Sequence, residues 1–198
     1  MACIQTSCYW DIKRYKKLFE KIIEEKPDGV FIGGDILPNQ FGMNVGMDEF
    51  LEKNLLKPII YTEKKIGKKI RYFIIMGNDD PRRFENILIN ADEKNIIDYV
   101  NERTVSFEKF FVTGYCFIPP TPFQLKDWER YDVSRFVDVG AISPEEGMRS
   151  IEVDKDVKRF STIKDDLDNL KQNASINNTI FLFHSPPYDS STSRGASS

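Results

Sequence analysis

The residue types best able to do chemistry fall in three polar clusters, each closing an apolar run. Gly33-Gly34-Asp35 follows Gly29-Val30-Phe31-Ile32, and Gly77-Asn78-Asp79-Asp80-Pro81 follows Ile70-Arg71-Tyr72-Phe73-Ile74-Ile75-Met76. His184-Ser185-Pro186-Pro187-Tyr188 follows Thr179-Ile180-Phe181-Leu182-Phe183. Carboxylate, amide oxygen and imidazole are all ligands that a divalent cation accepts. A continuous apolar run is the pattern of a strand covered on both faces. In open α/β sheets, ligands and catalytic groups gather in the crevice beyond the carboxyl ends of such strands. Asp35, Asn78 and His184, delivered to one rim, would form a metal site.

The elements that must position these groups read as alternating strands and helices. Residues 2–7 form a short strand. From Asp11 the period changes, and Ile12, Tyr15, Leu18, Phe19, Ile22 and Ile23 fall on one helical face. Lys26-Pro27-Asp28-Gly29 ends that helix and turns the chain into the next strand. Strand, helix, strand in that order implies parallel strands joined by a right-handed crossover. A helix is expected around residues 47–65, interrupted at Pro58, and Pro81 is expected in the first turn of another. Between Ile96 and Pro120 the β-branched and aromatic residues predict antiparallel strands. Residues 121–150 read as an irregular insertion packed by Trp128, Tyr131 and Phe136. Val157, Phe160, Ile163, Leu167 and Leu170 predict one amphipathic helix leading to the His184 strand.

Composition restricts the setting. A chain of 198 residues is expected to form one domain, here residues 1–188, followed by a disordered Ser-rich tail, 189–198. A net charge of -3 argues against a nucleic acid as a structural partner, since such proteins are normally basic. Lys13-Arg14, Lys16-Lys17, Lys64-Lys65 and Lys68-Lys69 read as solvated faces of helices and turns. Cys3, Cys8 and Cys116 are too few and too scattered for a disulfide framework, so reduced thiols and a cytoplasmic setting are expected. The start has no secretory pattern, and no apolar run approaches the ~20 residues that span a bilayer. No membrane partner is expected.

Gly-Asp after one strand, Gly-Asn-x-Asp after a later one and a third strand ending in His resemble the calcineurin-like metallophosphoesterase superfamily. That resemblance covers residues 28–188 and implies a four-layer α/β/β/α sandwich with two facing mixed sheets. It implies two metal ions that clamp a phosphate ester and activate a water. Asp35 would be the carboxylate bridging the metals. Asn78 and His184 would complete the second metal's ligands. Asp79 stands where most of the superfamily has a histidine that assists the leaving group, and Asp80 adjoins it. These two are the candidate catalytic carboxylates, although an aspartate donates a proton near neutral pH only if its pKa is raised.

Two family motifs have no counterpart. Cys8 and Trp10 stand where an opening Asp-x-His is expected, and Trp cannot bind a metal. The chain stops before the closing Gly-His-x-His. The first metal would therefore keep only Asp35, and the expectation is one weakly bound divalent ion (Mn, Fe, Zn or Mg) rather than two. The sandwich is expected to be incomplete at its C-terminus, with an exposed sheet edge open to self-association or a protein partner. The function expected is hydrolysis of a phosphomonoester or phosphodiester by metal-activated water, impaired in this form. The alternative is a non-catalytic protein-interaction module on the same fold, since fold does not imply function. A structural α/β protein with coincidental polar strand ends is the third reading.

Overall fold

The structure is a computed structural model that describes residues 3–6, 12–38, 46–172 and 176–186. The expectations placed on Cys8, on Trp10 and on the 189–198 tail lie outside the described residues.

Four strands form the first sheet in sequence order: β1 (Cys3–Thr6), β2 (Gly29–Gly33), β3 (Arg71–Ile75) and β4 (Asp98–Tyr99). All its pairings are parallel. Helix α1 (Ile12–Glu25) joins β1 to β2 and buries Tyr15, Leu18, Phe19 and Ile22, the stripe read from the sequence. Lys26, at φ 47°, closes the helix by donating its N–H to the Ile22 carbonyl. Helices α2 (Met47–Leu51) and α3 (Lys57–Ile66) connect β2 to β3. They run through a π-helical turn over Glu52–Leu56. The interruption expected at Pro58 thus lies just upstream of it. Proline has no N–H and its ring crowds the carbonyl four residues back, so the preceding turn widens. Pro81, expected in a first helical turn, instead precedes a 3₁₀ turn (Arg82–Phe84), after which α4 (Glu85–Glu93) follows.

The second sheet has the order β5 (Thr104–Phe107), β6 (Phe110–Tyr115), β7 (Thr179–Phe183). Pairing is antiparallel between β5 and β6 and parallel between β6 and β7, so the mixed pairing resides here. Within the 96–120 stretch, β4 departs from the antiparallel reading by joining the first sheet in parallel.

The sheets face each other through aromatic rings. Phe31 stacks on Phe73 at 5.0 Å, and Phe107 of the second sheet meets Phe73 edge-on at 4.9 Å. Gly114 permits the approach on β6, because a Cβ there would lie 2.6 Å from Ile75 Cγ2. On the outer side of the second sheet, α6 (Ile163–Gln172) buries Ile163 and Leu170, and Tyr115 donates its hydroxyl to Asp166. The layers are those of an α/β sandwich with two facing sheets. Among the described residues, no helix is long and apolar enough to cross a membrane.

Two aromatic expectations are corrected. The single helix expected from Val157 to Leu170 is two, α5 (Lys155–Phe160) and α6. Ser161 is extended, and Thr162 begins a new helix by accepting the Asp165 N–H on Oγ1 while donating to Asp165 Oδ2. Val157 and Phe160 are therefore exposed. The 121–150 segment is irregular, with Trp128 and Tyr131 buried as read, but Phe136 is 71% exposed rather than packed.

Candidate functional site

Three strand ends build the site, and glycines let them meet. Beyond β2, Gly34 (φ 98°) and Asp35 (φ 53°) both adopt left-handed backbone. Asp tolerates this conformation better than most residues, and the turn aims the Asp35 carboxylate inward, where the residue is 3% exposed. Beyond β3, Gly77 passes so close that a Cβ would lie 2.2 Å from Asp35 Oδ1 and 2.5 Å from His184 Cε1. Only glycine fits between those groups.

His184 reaches the same point by strand alternation. Side chains on β7 alternate between faces, and Leu182, 3% exposed, points into the core between the sheets. His184, two residues on, continues on that face. Its backbone N–H donates to the Tyr115 carbonyl (3.1 Å), adding a rung to the β6–β7 ladder.

The side chains converge. His184 Nε2 is 2.9 Å from Asn78 Oδ1 and 3.5 Å from Asp35 Oδ1. On the other side of the ring, Nδ1 is 2.7 Å from the Gly33 carbonyl oxygen. A carbonyl only accepts, so in the tautomer that donates from Nδ1 to Gly33, Nε2 turns a lone pair toward Asn78 Oδ1 and Asp35 Oδ1. Asn78 donates from Nδ2 to Asp79 Oδ1 (3.1 Å), which turns its Oδ1 toward the imidazole. The Asp79 N–H in turn donates to Asp35 Oδ1 (3.2 Å). In that tautomer three electron-pair donors face one another, and a positive charge among them would relieve their repulsion. A divalent cation fits this donor set of carboxylate, amide oxygen and imidazole. The Gly33 carbonyl supplies the outer hydrogen bond that orients a metal-ligating imidazole. Among the described residues no group of three or more His, Cys, Asp and Glu side chains could hold a metal, so the amide oxygen of Asn78 is needed to complete the trio.

The two candidate catalytic carboxylates occupy different positions. Asp79 is half-buried beside the trio, and burial together with the Asp35 carboxylate holds its carboxyl above the usual range, against a smaller opposing pull from His184. Asp80 is fully buried and turned away. Its Oδ2 accepts the Gly77 N–H (2.8 Å) and the Ile36 N–H (3.1 Å), and its Oδ1 accepts the Leu37 N–H (2.8 Å). Burial pushes it up to about 7 even though these three donors favour the ionised form. Asp80 ties the loop after β3 to the loop after β2, which is a positioning geometry.

Sequence reading missed the supports. Trp128 Nε1 donates to the Asp80 carbonyl at 2.8 Å, and the Met76 N–H points at Cys116 Sγ. Asp127 accepts the Arg82 N–H (2.8 Å) and the Ser150 hydroxyl. These contacts span dozens of residues, and nothing in local periodicity announces them. The one local signal was the run of acids and aromatics at Asp127-Trp128-Glu129 inside an otherwise aperiodic stretch.

The family model described as calcineurin-like phosphoesterase matches residues 1–198. No curated protein matches the chain.

Proposed function

Because this chain belongs to the calcineurin-like phosphoesterase family, we propose that it hydrolyses a phosphomonoester or phosphodiester, using a divalent cation held by Asp35, Asn78 and His184. The supporting observation is the convergence of His184 Nε2, Asn78 Oδ1 and Asp35 Oδ1, with Nδ1 held 2.7 Å from the Gly33 carbonyl oxygen. Manganese, iron, zinc and magnesium all accept such donors, and three protein ligands favour a single ion over two. When bound, the cation neutralises the anionic ester and makes a water more acidic.

The remaining roles fall to this chain's own groups. The Asp79 N–H fixes Asp35 Oδ1 in its rotamer, and the Gly33 carbonyl fixes the imidazole tautomer. Asp80 holds the two loops in register through three backbone donors. The Asp79 carboxyl, raised by burial and by Asp35, is the group placed to hold a proton for the leaving oxygen. An aspartate in that position suits esters whose leaving group needs little protonation, such as aryl phosphodiesters.

The test is hydrolysis of an aryl phosphodiester with added manganese, comparing wild type with Asp35→Ala. Loss of turnover in the variant supports the proposal, and equal rates would remove it. Manganese should also raise the melting temperature through mass action. That rise should vanish in His184→Ala.

The interaction-module reading draws on one observation. Phe111 (39% exposed) and Phe181 (42% exposed) lie on β6 and β7, the surface that a protein partner or a second copy would use. Equal rates in wild type and Asp35→Ala, combined with concentration-dependent association in sedimentation, would favour it.

A further inference from the structure

Beyond the metal-ligand trio, the 121–150 segment and α5 enclose a small depression rich in cations. Arg82, Phe117, Glu129, Arg130, Arg149 and Lys158 line it. Its volume is about 10 Å³, room for a single oxygen-sized group. Glu129 is the one carboxylate in this lining, and it is already engaged. Lys126 Nζ donates to it at 2.5 Å, and Thr121 donates from both its backbone N–H and its hydroxyl.

Aromatic rings preset the guanidinium groups. Arg82 Cζ stands 4.9 Å from the Trp128 ring, and Arg130 Cζ stands 3.7 Å from the Phe117 ring. Arg82 pairs with Glu85, and Arg130 with Asp166. Arg149 differs. Its terminal nitrogen donates only to the carbonyls of Pro144 (3.2 Å) and Glu129 (3.5 Å), and its Nε is buried with no hydrogen-bond partner. Among the described residues Arg149 has no carboxylate partner, unlike Arg82 and Arg130. Burial, with the like charges of Arg82 and Arg130, also holds Arg149 below the usual guanidinium range despite the opposing field of Asp127.

We propose that this depression is an oxyanion subsite that seats one oxygen of a phosphate-type group on Arg149, with Arg82, Arg130 and Lys158 around its mouth. Guanidinium groups match the geometry of phosphate oxygens, and an anion here would give Arg149 the counter-charge that Arg82 and Arg130 already have. One lining residue is near the metal-ligand trio in sequence. Arg82 follows Asn78 by four residues, so their Cα atoms are separated by about 14 Å at most. The phosphate-type group has two sources, a second phosphate carried by the substrate or free inorganic phosphate. The binding claim is independent of hydrolysis, and only the assignment to substrate rests on the proposed function.

The first arm titrates inorganic phosphate calorimetrically into the full chain in EDTA, which keeps phosphate off any metal. Wild type should bind, and Arg149→Met and Lys158→Met should bind about tenfold more weakly or worse, as expected for losing a charge-assisted contact. Arg149→Lys should recover part of the loss. Absence of binding in wild type, or equal binding in Lys158→Met and a folded Arg149→Met, overturns the proposal. If Arg149→Met fails to fold, Lys158→Met on the surface of α5 decides. The second arm compares KM for an aryl phosphodiester with and without a second phosphate group. A KM increase in Lys158→Met confined to the doubly phosphorylated ester identifies the substrate as the source. Unchanged KM for both, with weakened titration, identifies free phosphate.

Discussion

Two regions of this molecule bury charge and resolve it in opposite ways. In the 121–150 segment, Lys126 and Glu129 are both fully buried and bridge at 2.5 Å, with Thr121 satisfying further lone pairs and protons. At the rim of the strand ends, Asp35 and Asp80 are 3% and 0% exposed, and among the described residues neither is paired with a lysine or arginine. Backbone N–H groups serve them instead. Charge that is cancelled internally holds a structure together. Charge that is left over gives an outside cation something to bind.

Glu129→Ala should produce the largest effect on this contrast. It strands a buried ammonium, and chemical denaturation should show a loss of about 3–5 kcal/mol. Replacing both partners, Lys126→Met with Glu129→Leu, should recover most of it. If the single variant were as stable as wild type, the segment would not be held by internal cancellation.

Gly77→Ala attacks the rim. The added methyl would meet Asp35 Oδ1 at 2.2 Å and His184 Cε1 at 2.5 Å, so the trio must spread. Manganese-dependent melting shifts should disappear while far-ultraviolet circular dichroism stays near wild type. An undiminished shift would show that the cation binds elsewhere.

Asp35→Asn should separate the two regions by sign. Its amide oxygen can still accept from the Asp79 N–H, and the change removes a buried negative charge from beside the Asp79 carboxyl. In EDTA the variant should therefore be more stable than wild type by about 1 kcal/mol while losing the manganese response. A destabilised variant would mean that the rim carries no surplus negative charge.

The smallest effect is a pH slope. Asp80 is held at about 7, above the ~3.9 of an unfolded aspartate. Between those values the folded chain retains a proton that the unfolded chain has released. The Asp80 contribution to stability therefore falls as pH rises from about 4 to 7, and levels off beyond. Melting temperature against pH should show this decline in wild type and a flatter profile in Asp80→Asn. Parallel profiles would assign the slope to other groups.

What could be read from the sequence differs between the regions for the same physical reason. The rim is written in contiguous stretches, each an apolar run closed by a polar cluster; positions 35 and 78 meet because β2 and β3 are parallel neighbours, and 184 arrives from the facing sheet. The divergent duties of Asp79 and Asp80 could not be read, because two neighbouring aspartates look alike until backbone donors claim one of them. The 121–150 segment has no period, so its anchor at Lys126–Glu129 and the bond from Trp128 to Asp80 were invisible. Local chemistry also beat pattern at Thr162, where a reciprocal bond with Asp165 starts a new helix and leaves Val157 and Phe160 in solvent.

The backbone bond from His184 N to Tyr115 O has a kinetic side. Among the described residues β7 has a single strand neighbour, β6, so the end of that ladder has only one side to hold it. Each time the rung opens the imidazole loses its anchor, and an ion held as proposed would lose a ligand with it. Under that proposal, ion occupancy and the exchange of a single amide hydrogen, that of residue 184, would be two readings of one local opening. Loading the cation should slow that amide more than any other on the strand.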